Sequence, residues 1–213
     1  MKTRDRIVAT AQSLFNDAGY GVVTTALLAE RLGMAEGNLW YHFKTKRALL
    51  DAIGERFAAN IEARLDLRPD GDPVGSYARL LRMMMAEFRD FRFLYRDQPA
   101  YGDHATVIAE NAPRWTRQTF AQIEAHLAAL AEAGLLCLPR DRLADLAINA
   151  TILLRYGLEH ERELGAPTAS GTGAVRRTLL RHLTLFEHDL APAALAELKA
   201  AIEAIEAEAP LAA

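Results

Sequence analysis

The stretch from Val23 to Phe43, VTTALLAERLGMAEGNLWYHF, constrains the fold more than any other part of the chain. Thr24 can accept a hydrogen bond from an early backbone N–H and so begin a first helix as its N-cap. Gly33 can take the left-handed conformation that ends that helix. Leu28 and Leu32 lie four residues apart and share one helix face. The stretch therefore predicts two short helices joined by a tight turn.

The second helix of the pair carries polar residues for which a protein core has no evident use. Its apolar face is thin, with Met34 and Leu39 available to pack on the first helix. Glu36, Asn38 and His42 have no obvious core role. An ordinary helical hairpin in a core is the alternative, but it leaves these polar residues unexplained. The pattern favours a helix-turn-helix whose second helix meets a DNA groove.

Residues from about Arg4 to Ile53 resemble the DNA-binding head of the tetracycline-repressor (TetR) family of bacterial transcription regulators. The block GNLWYHFKTKRALL is similar to the form GNLYYHFKTKENLL found in some members. Further landmarks are Ile7, Ala11, Leu14–Phe15, Gly19–Tyr20, Leu28–Ala29, Lys46 and Leu49–Leu50. The resemblance implies an all-α protein. Its N-terminal three-helix head, residues 1–48, would be followed by a C-terminal helical bundle for ligand binding and dimerisation, residues 49–213.

The chain departs from the family pattern at three positions. Trp40 stands where a Tyr is usual, and Leu27 replaces a frequent acidic residue. Ala35 stands where a Ser or Thr often caps the recognition helix, and losing that cap should cost about 1 kcal/mol. The Ala also lacks a hydroxyl that could contact phosphate.

The resemblance, together with residue chemistry, assigns a set of DNA-binding residues. They are Thr24, Thr25, Ala35, Glu36, Gly37, Asn38, Trp40, Tyr41, His42 and Lys46. Within this set Thr25, Tyr41, His42 and Lys46 are expected to contact phosphates. Asn38 could read adenine and Glu36 could accept from cytosine N4, while Gly37 permits close approach of the backbone.

The charge distribution fits a DNA-binding head on a neutral-to-acidic body. Residues 1–65 hold nine Lys/Arg and seven Asp/Glu, which is a net charge of +2. Because the whole chain has a net charge of −3, residues 66–213 carry −5. The slightly negative net charge of the whole chain argues against broad coating of nucleic acid. The head itself is only weakly charged. Binding should therefore depend on dimerisation as well as on charge. The expected DNA partner is a palindromic double-stranded operator.

Three observations bear on location. The chain opens with Met1-Lys2-Thr3 and no secretory signal, and no apolar run reaches the ~20 residues needed to span a membrane. The single cysteine, Cys137, lies among leucines and is interpreted as a packed small hydrophobe rather than a redox sensor. These features predict a cytoplasmic protein without membrane association.

Segments rich in Pro, Gly and Asp divide the rest of the chain into predicted helices. The predicted helices are Lys2–Ala18, Lys46–Asp66, Pro73 to about Phe88, Pro113 to about Gly134, Arg140–Leu164, Ala174–Leu190, and a last one from about Pro192. Asp72 is the expected N-cap for Pro73. Loops are expected at Leu67–Asp72, Gln98–Asp103 and Gly165–Gly173, and no strand is expected.

Aromatic and methionine residues concentrate between residues 77 and 120. Most of them are expected to form a helical core, but such residues also line adaptable pockets for apolar ligands. The resemblance implies an inducer cavity in this region. The candidate pocket residues are Met84, Phe88, Tyr95, Trp115, Phe120 and Tyr156. Arg89, Arg92 and Arg96 could form a solvated face or meet a ligand carboxylate.

Enzymatic and metal-dependent functions find little in the sequence to support them. There is no Gly-rich phosphate loop, nucleophile elbow or HExxH pair, so we expect no catalytic residues, no metal and no cofactor. Glu159, His160 and Glu161 are interpreted as a solvated stripe.

Two functions remain open at this point. The first is a ligand-responsive repressor that a partly apolar small-molecule inducer releases from its operator. The second is an architectural DNA-binding protein with the same head, controlled by a protein partner. Either would act as a homodimer, with an interface on the helices from Arg140 and from Ala174. Its apolar residues would be Leu146, Ile152, Leu153, Tyr156, Leu179, Leu183 and Phe186.

Overall fold

The computed structural model describes residues 2–169 and 171–207, and within them it is built from helices and one isolated bridge. The α-helices are α1 (Thr3–Ala18), α2 (Thr25–Leu32), α3 (Glu36–His42), α4 (Lys46–Leu65), α5 (Pro73–Asp90), α6 (Arg92–Arg96), α7 (Gln98–Tyr101), α8 (Thr106–Glu132), α9 (Arg140–Glu163), α10 (Ala174–Leu183) and α11 (Pro192–Ala207). Single 3-10 turns lie at Gly102–His104 and Glu187–Asp189. The all-α prediction is confirmed. Among the helices described, none is long and apolar enough to cross a membrane.

The chain divides into two compact units. Among the described residues, unit 1 comprises residues 2–61 together with Asp90–Pro113, and unit 2 comprises Glu62–Arg89 together with residues 114–169 and 171–207. Helices α4, α5 and α8 therefore contribute residues to both units. The compact units do not divide between residues 48 and 49, and the functional boundary expected there stays a prediction.

The helix pair in unit 1 begins and ends as the sequence predicts. The Thr24 hydroxyl accepts a hydrogen bond from the Leu27 backbone N–H at 3.1 Å. Gly33 adopts the left-handed conformation with φ of 64° and ends α2. Leu28 and Leu39 are both buried, which packs α3 on α2. Local capping and one apolar anchor per helix thus fix the position of α3.

Unit 2 contains a close crossing between α9 and α10. Gly157 of α9 faces Thr178 of α10, and a Cβ atom on Gly157 would lie 2.3 Å from the Thr178 methyl carbon. Glu161, one turn farther along α9, is buried and accepts hydrogen bonds from Arg177 and Arg181 of α10. The hydrogen bond from Arg181 holds the pKa of Glu161 below its ordinary value. The crossing therefore combines backbone proximity with a buried carboxylate.

The loop expected at Gln98–Asp103 is wrong, because α7 and a 3-10 turn occupy these residues. Two helix limits also differ from the prediction. Helix α8 begins at Thr106 and contains Pro113, which the sequence suggested as its start. Helix α10 ends at Leu183 rather than Leu190, because Leu190 turns away to form an isolated antiparallel bridge with Leu136. Cys137, beside this bridge, is exposed, so its interpretation as a packed hydrophobe is wrong.

Candidate nucleic-acid interface

Helix α3 presents polar side chains to solvent and keeps one apolar side chain inside. Leu39 is 1% exposed and anchors the helix, whereas Glu36, Gly37 and Asn38 are exposed. Tyr41, on the following turn, is 79% exposed. An aromatic side chain so far exposed gains nothing from the core, so it is available to a partner.

Two of the candidate residues are hydrogen-bonded to each other in the free protein. The Thr25 hydroxyl donates to Glu36 Oε1 at 2.6 Å. This contact joins the first residue of α2 to the first residue of α3. It holds the Glu36 carboxylate in one place on the exposed side of unit 1, where a carboxylate could accept from a cytosine amino group.

The start of α3 lacks a side-chain cap, as Ala35 predicts. Ala35 has extended backbone angles and makes no side-chain cap hydrogen bond. Apart from its chain neighbours and the nearby backbone of α3, no described residue has an atom within 4 Å of the position that a Cβ on Gly37 would occupy. The fold itself therefore does not require a glycine there, and the open space is left for an approaching molecule.

Of the aromatic candidates, Trp40 and His42 are half-buried and Tyr41 is exposed. The rings of Tyr41 and His42 meet edge to face with centroids 5.3 Å apart. Both side chains carry donors that phosphate oxygens accept.

Lys46 has structural contacts within unit 1. Its ammonium donates to the Tyr20 carbonyl oxygen and lies 4.2 Å from the centre of the Tyr20 ring. Partial burial lowers the pKa of Lys46. Its expected phosphate contact stays a prediction, but the side chain has a structural partner that the sequence did not reveal.

Exposed cations beside α3 were not singled out from the sequence. Lys44 and Arg47 are exposed in the segment that follows α3. Arg4 of α1 stacks over the Phe43 ring at 5.0 Å. The signal for Lys44 and Arg47 was present in the sequence, because together with Lys46 they make three basic residues within four positions next to the recognition helix.

Arginines of α6 bind the C-terminal end of α1. Arg96 donates to the carbonyl oxygens of Phe15 at 2.9 Å and Asn16 at 3.0 Å, and Arg92 also donates to Asn16 at 3.0 Å. Asp97 accepts from the Tyr20 N–H at 2.7 Å. The solvated face considered for Arg92 and Arg96 is therefore wrong. These cations stabilise the negative end of the α1 dipole.

The six candidate pocket residues fall in different surroundings. In unit 2, Met84, Phe88 and Trp115 are buried, and Phe120 is half-buried. In unit 1, Tyr95 packs on Phe57, and their ring centroids lie 5.5 Å apart. Tyr156 is 50% exposed on α9, so it lines no enclosed space within unit 2. A cavity of about 250 Å³ in unit 2 is lined by none of the six.

The seven apolar residues expected at a dimer interface differ in exposure, and Leu153 among them is half-buried. Leu146, Leu179, Leu183 and Phe186 are buried within unit 2, so their assignment to an exposed interface is wrong. Ile152 and Tyr156 are exposed, and so is Ile148 on the same face of α9, which was not among the predicted interface residues.

The histidines and carboxylates give no metal site within residues 2–169 and 171–207. The stripe expected at Glu159–Glu161 is solvated only at His160, since both carboxylate residues are buried. His182 is fully buried, with its Nε2 atom 2.7 Å from the Tyr77 hydroxyl, and burial lowers the pKa of His182 to about 3.

Two family models match the chain. Residues 7–53 match bacterial regulatory proteins of the tetR family, and residues 56–198 match a family described as bacterial transcriptional repressor. The first match covers most of α1, all of α2 and α3, and the start of α4. The second covers the second half of α4, helices α5 to α10, and the first part of α11.

Individual relatives agree with these matches. The chain is 31% identical over 170 residues to the Escherichia coli tetracycline repressor protein class A from transposon 1721, covering 78% of this chain and 70% of that protein. It is 38% identical over 94 residues to the class C repressor of E. coli, covering 44% of this chain and 41% of that protein. A solved TetR-family transcriptional regulator from Marinobacter aquaeolei VT8 is 25% identical with a TM-score of 0.76, covering 96% of this chain and 99% of that one.

Proposed function

Because this chain belongs to the tetR family of bacterial regulatory proteins, we propose that it is a repressor released from a palindromic operator by a small molecule. Proteins of this family are DNA-binding transcription regulators and not enzymes. The observation that carries the proposal is α3, which exposes Glu36, Gly37, Asn38 and Tyr41 on a helix fixed by buried Leu39.

On the DNA, some candidate residues would contact base edges and others would contact phosphates. Asn38 and Glu36 would contact base edges, and the open space at Gly37 would let the backbone approach. Thr25, Tyr41, His42 and Lys46 would contact phosphates, and we add exposed Lys44 and Arg47 to that group. Thr24 and Ala35 would serve by starting the two helices, and half-buried Trp40 by supporting α3.

The functional unit would be a two-fold homodimer. Ile148, Ile152 and Tyr156 repeat every four residues along α9 and are all exposed, which suits a helix face that packs on its own copy. Two copies place two recognition helices on two half-sites, which a single short helix needs for tight binding. We expect this dimer in the cytoplasm, where bacterial DNA lies.

Induction would act through α4. This helix runs without interruption from Lys46 to Leu65 and contributes to both units. A shift at Phe57 or Ile61 would change the spacing of the two heads. Half-sites repeat about every 34–36 Å, so an error of several ångströms prevents simultaneous docking. Switching of this kind commonly has a coupling free energy of about 1–3 kcal/mol.

The test begins with selection of bound DNA from a random pool. A palindromic consensus, bound with the stoichiometry of two chains per site, is the expected result. Failure to enrich any sequence, with the protein folded, contradicts the DNA-binding proposal. Tetracycline is the first compound to titrate into the protein–operator complex, because the two curated relatives are named for it.

The second candidate, an architectural protein controlled by a protein partner, is supported by no finding and is not retained. A compound of demonstrated micromolar affinity that left operator binding unchanged would contradict the induction mechanism, because a ligand shifts only an equilibrium between states that it binds unequally.

A further inference from the structure

The hydrogen bond between Thr25 and Glu36 lies in the part of the head that the proposed function assigns to DNA. Thr25 is half-buried at the first position of α2, and Glu36 is exposed at the first position of α3. The distance of 2.6 Å between the Thr25 hydroxyl and Glu36 Oε1 is typical of a hydroxyl that donates to a carboxylate. Two side chains therefore connect the start of the first helix to the start of the recognition helix.

The Thr25 hydroxyl has a single proton, and this bond uses it. A phosphate oxygen only accepts, so the hydroxyl cannot donate to a phosphate while it donates to Glu36. The backbone N–H of Thr25 is different, because the first N–H groups of a helix have no intrahelical acceptor. The phosphate contact proposed for Thr25 can therefore use its backbone, which leaves its side chain for Glu36.

The second carboxylate oxygen of Glu36 is left to meet a base. Within the part of the chain that the structure describes, no group donates to Oε2. An ionised carboxylate only accepts hydrogen bonds, so it attracts the N4 amino group of cytosine. It repels thymine O4 and guanine O6 and N7, which are acceptors as well. A carboxylate at this place would give specificity both by accepting from one base and by penalising others.

The penalty on a mismatched base depends on how firmly the carboxylate is held. A glutamate side chain has three rotatable bonds, so an exposed one can turn its carboxylate into solvent and away from the wrong base. The hydrogen bond from Thr25 opposes this movement. It should become stronger on DNA, because a docked helix excludes the water that competes for the same groups.

We propose that Thr25 is a positioning residue for base recognition: its hydroxyl holds the Glu36 carboxylate against one base pair, so that the head selects cytosine and rejects thymine there. The inference rests on the proposed function, since it names a base preference of the operator. The competing interpretation is a purely structural link between α2 and α3. A structural link predicts that losing the hydroxyl weakens binding to every operator, whereas positioning predicts a loss of discrimination.

The experiment first identifies the base pair that Glu36 contacts. Selection of bound DNA with the full chain and with Glu36→Ala should give two consensus sequences that differ at one base pair of each half-site, where the unsubstituted protein selects cytosine. Two operators then serve as probes, the consensus and the same DNA with that cytosine changed to thymine in one half-site. Fluorescence anisotropy should show that the unsubstituted protein binds the consensus about tenfold more tightly.

Thr25→Val removes the hydroxyl but keeps the shape of the side chain and the backbone N–H. It should bind the consensus about threefold more weakly and the thymine operator about threefold more tightly, so that discrimination nearly disappears. Thr25→Ser keeps a hydroxyl and should restore the discrimination. In the Glu36→Ala background, Thr25→Val should not change the ratio of the two affinities further. Ser13→Ala, an exposed change on α1, is the control for affinity.

Several results would overturn the inference. An equal loss of affinity for both operators in Thr25→Val would mean that the hydroxyl contacts a phosphate or only supports α3. Unchanged discrimination in Thr25→Val would mean that Glu36 needs no positioning. A Glu36→Ala consensus identical to the original, or a base other than cytosine at the altered pair, would remove the proposed contact while the repressor proposal stands. If the folded, unsubstituted protein selects no DNA sequence, the proposed function itself fails and this inference fails with it.

Discussion

At the scale of single residues, Asn38 carries the sharpest expectation for DNA recognition. It is exposed on α3, and its side-chain amide can donate to and accept from adenine. Asn38→Ala should weaken binding to the selected operator by about 1–3 kcal/mol and leave non-specific DNA binding nearly unchanged. Fluorescence anisotropy with both DNAs measures this. Ser13→Ala, an exposed change on α1, is the matched control, and an equal loss on both DNAs would remove Asn38 from base recognition.

Comparing alanine variants of Lys46 and Lys44 should distinguish a lysine with a structural contact from one that acts only through its charge. Lys46 donates to the Tyr20 carbonyl, whereas Lys44 is exposed. Each change to Ala should reduce the slope of log affinity against log salt by about one per head. Only Lys46→Ala should also lower the thermal midpoint of unfolding. Equal midpoints for the two variants would show that the Tyr20 contact contributes little to stability.

Buried His182 makes stability depend on pH. Its folded pKa is about 3, below the ordinary value of 6.5, so the unfolded chain binds a proton that the folded chain does not. The free energy of unfolding should therefore fall as pH drops below about 6.5, by roughly 1.4 kcal/mol per unit for this group. Urea titrations between pH 7 and 4.5 measure the free energy of unfolding at each pH. Its slope against pH should be smaller in His182→Gln than in the unsubstituted protein. His160→Gln, at an exposed position, should keep the original slope.

At the scale of elements, the α9–α10 crossing should be intolerant of any added carbon. Gly157→Ala would bring a Cβ to 2.3 Å from the Thr178 side chain, so the helices must separate. We expect a loss of about 1–3 kcal/mol by urea unfolding. Gly54→Ala in α4 is the control, because its Cβ would meet no atom closer than 3.8 Å and Ala has the better helix propensity. A neutral Gly157→Ala would mean that the crossing relaxes freely.

The elements that the sequence predicted are those with local signals. Thr24 and Gly33 determine the two ends of α2 within ten residues of each other, and Asp72 accepts from the Gly75 N–H at 2.9 Å as the expected cap of α5. Pro113 misled the placement of α8, because a proline inside a helix costs about 3 kcal/mol and usually marks a start. The early end of α10 depends on Leu136, whose position no local pattern reveals.

In the candidate site too, features with a local sequence signal were predictable and features set by distant contacts were not. Exposure of Glu36, Asn38 and Tyr41 follows from the thin apolar face of α3 and was predictable. The contacts of Arg96 with Phe15 join residues 81 positions apart, and burial of Glu161 depends on Arg177 and Arg181 of another helix. Such contacts are set by tertiary packing, so a single sequence read locally gives charged residues no partner and suggests a solvated surface.

At the scale of the whole molecule, the exposed face of α9 should control oligomeric state and, through it, operator affinity. Ile152 is 59% exposed at the centre of the face formed with Ile148 and Tyr156. Ile152→Glu should give a monomer by sedimentation at micromolar concentration, because the two-fold axis brings like charges together. Operator binding should weaken far more than non-specific binding. The control is Arg142→Glu, exposed on the same helix but off this face.

A dimeric Ile152→Glu protein would move the interface to another surface, and a monomeric unsubstituted protein would remove the dimer altogether. Either result leaves the recognition helix intact but changes how affinity is reached. A monomer would need more phosphate contacts per head than a balance of +2 in residues 1–65 readily supplies.

The exposed thiol of Cys137 has a practical consequence for observing this switch. It is the single cysteine of the sequence, so a nitroxide spin label attaches at one position per chain without any substitution. A two-fold dimer would then carry one pair of labels and yield one distance distribution by pulsed electron resonance. Recorded free and with operator, these distributions would reveal whether the free dimer already samples the label distance of the operator-bound dimer.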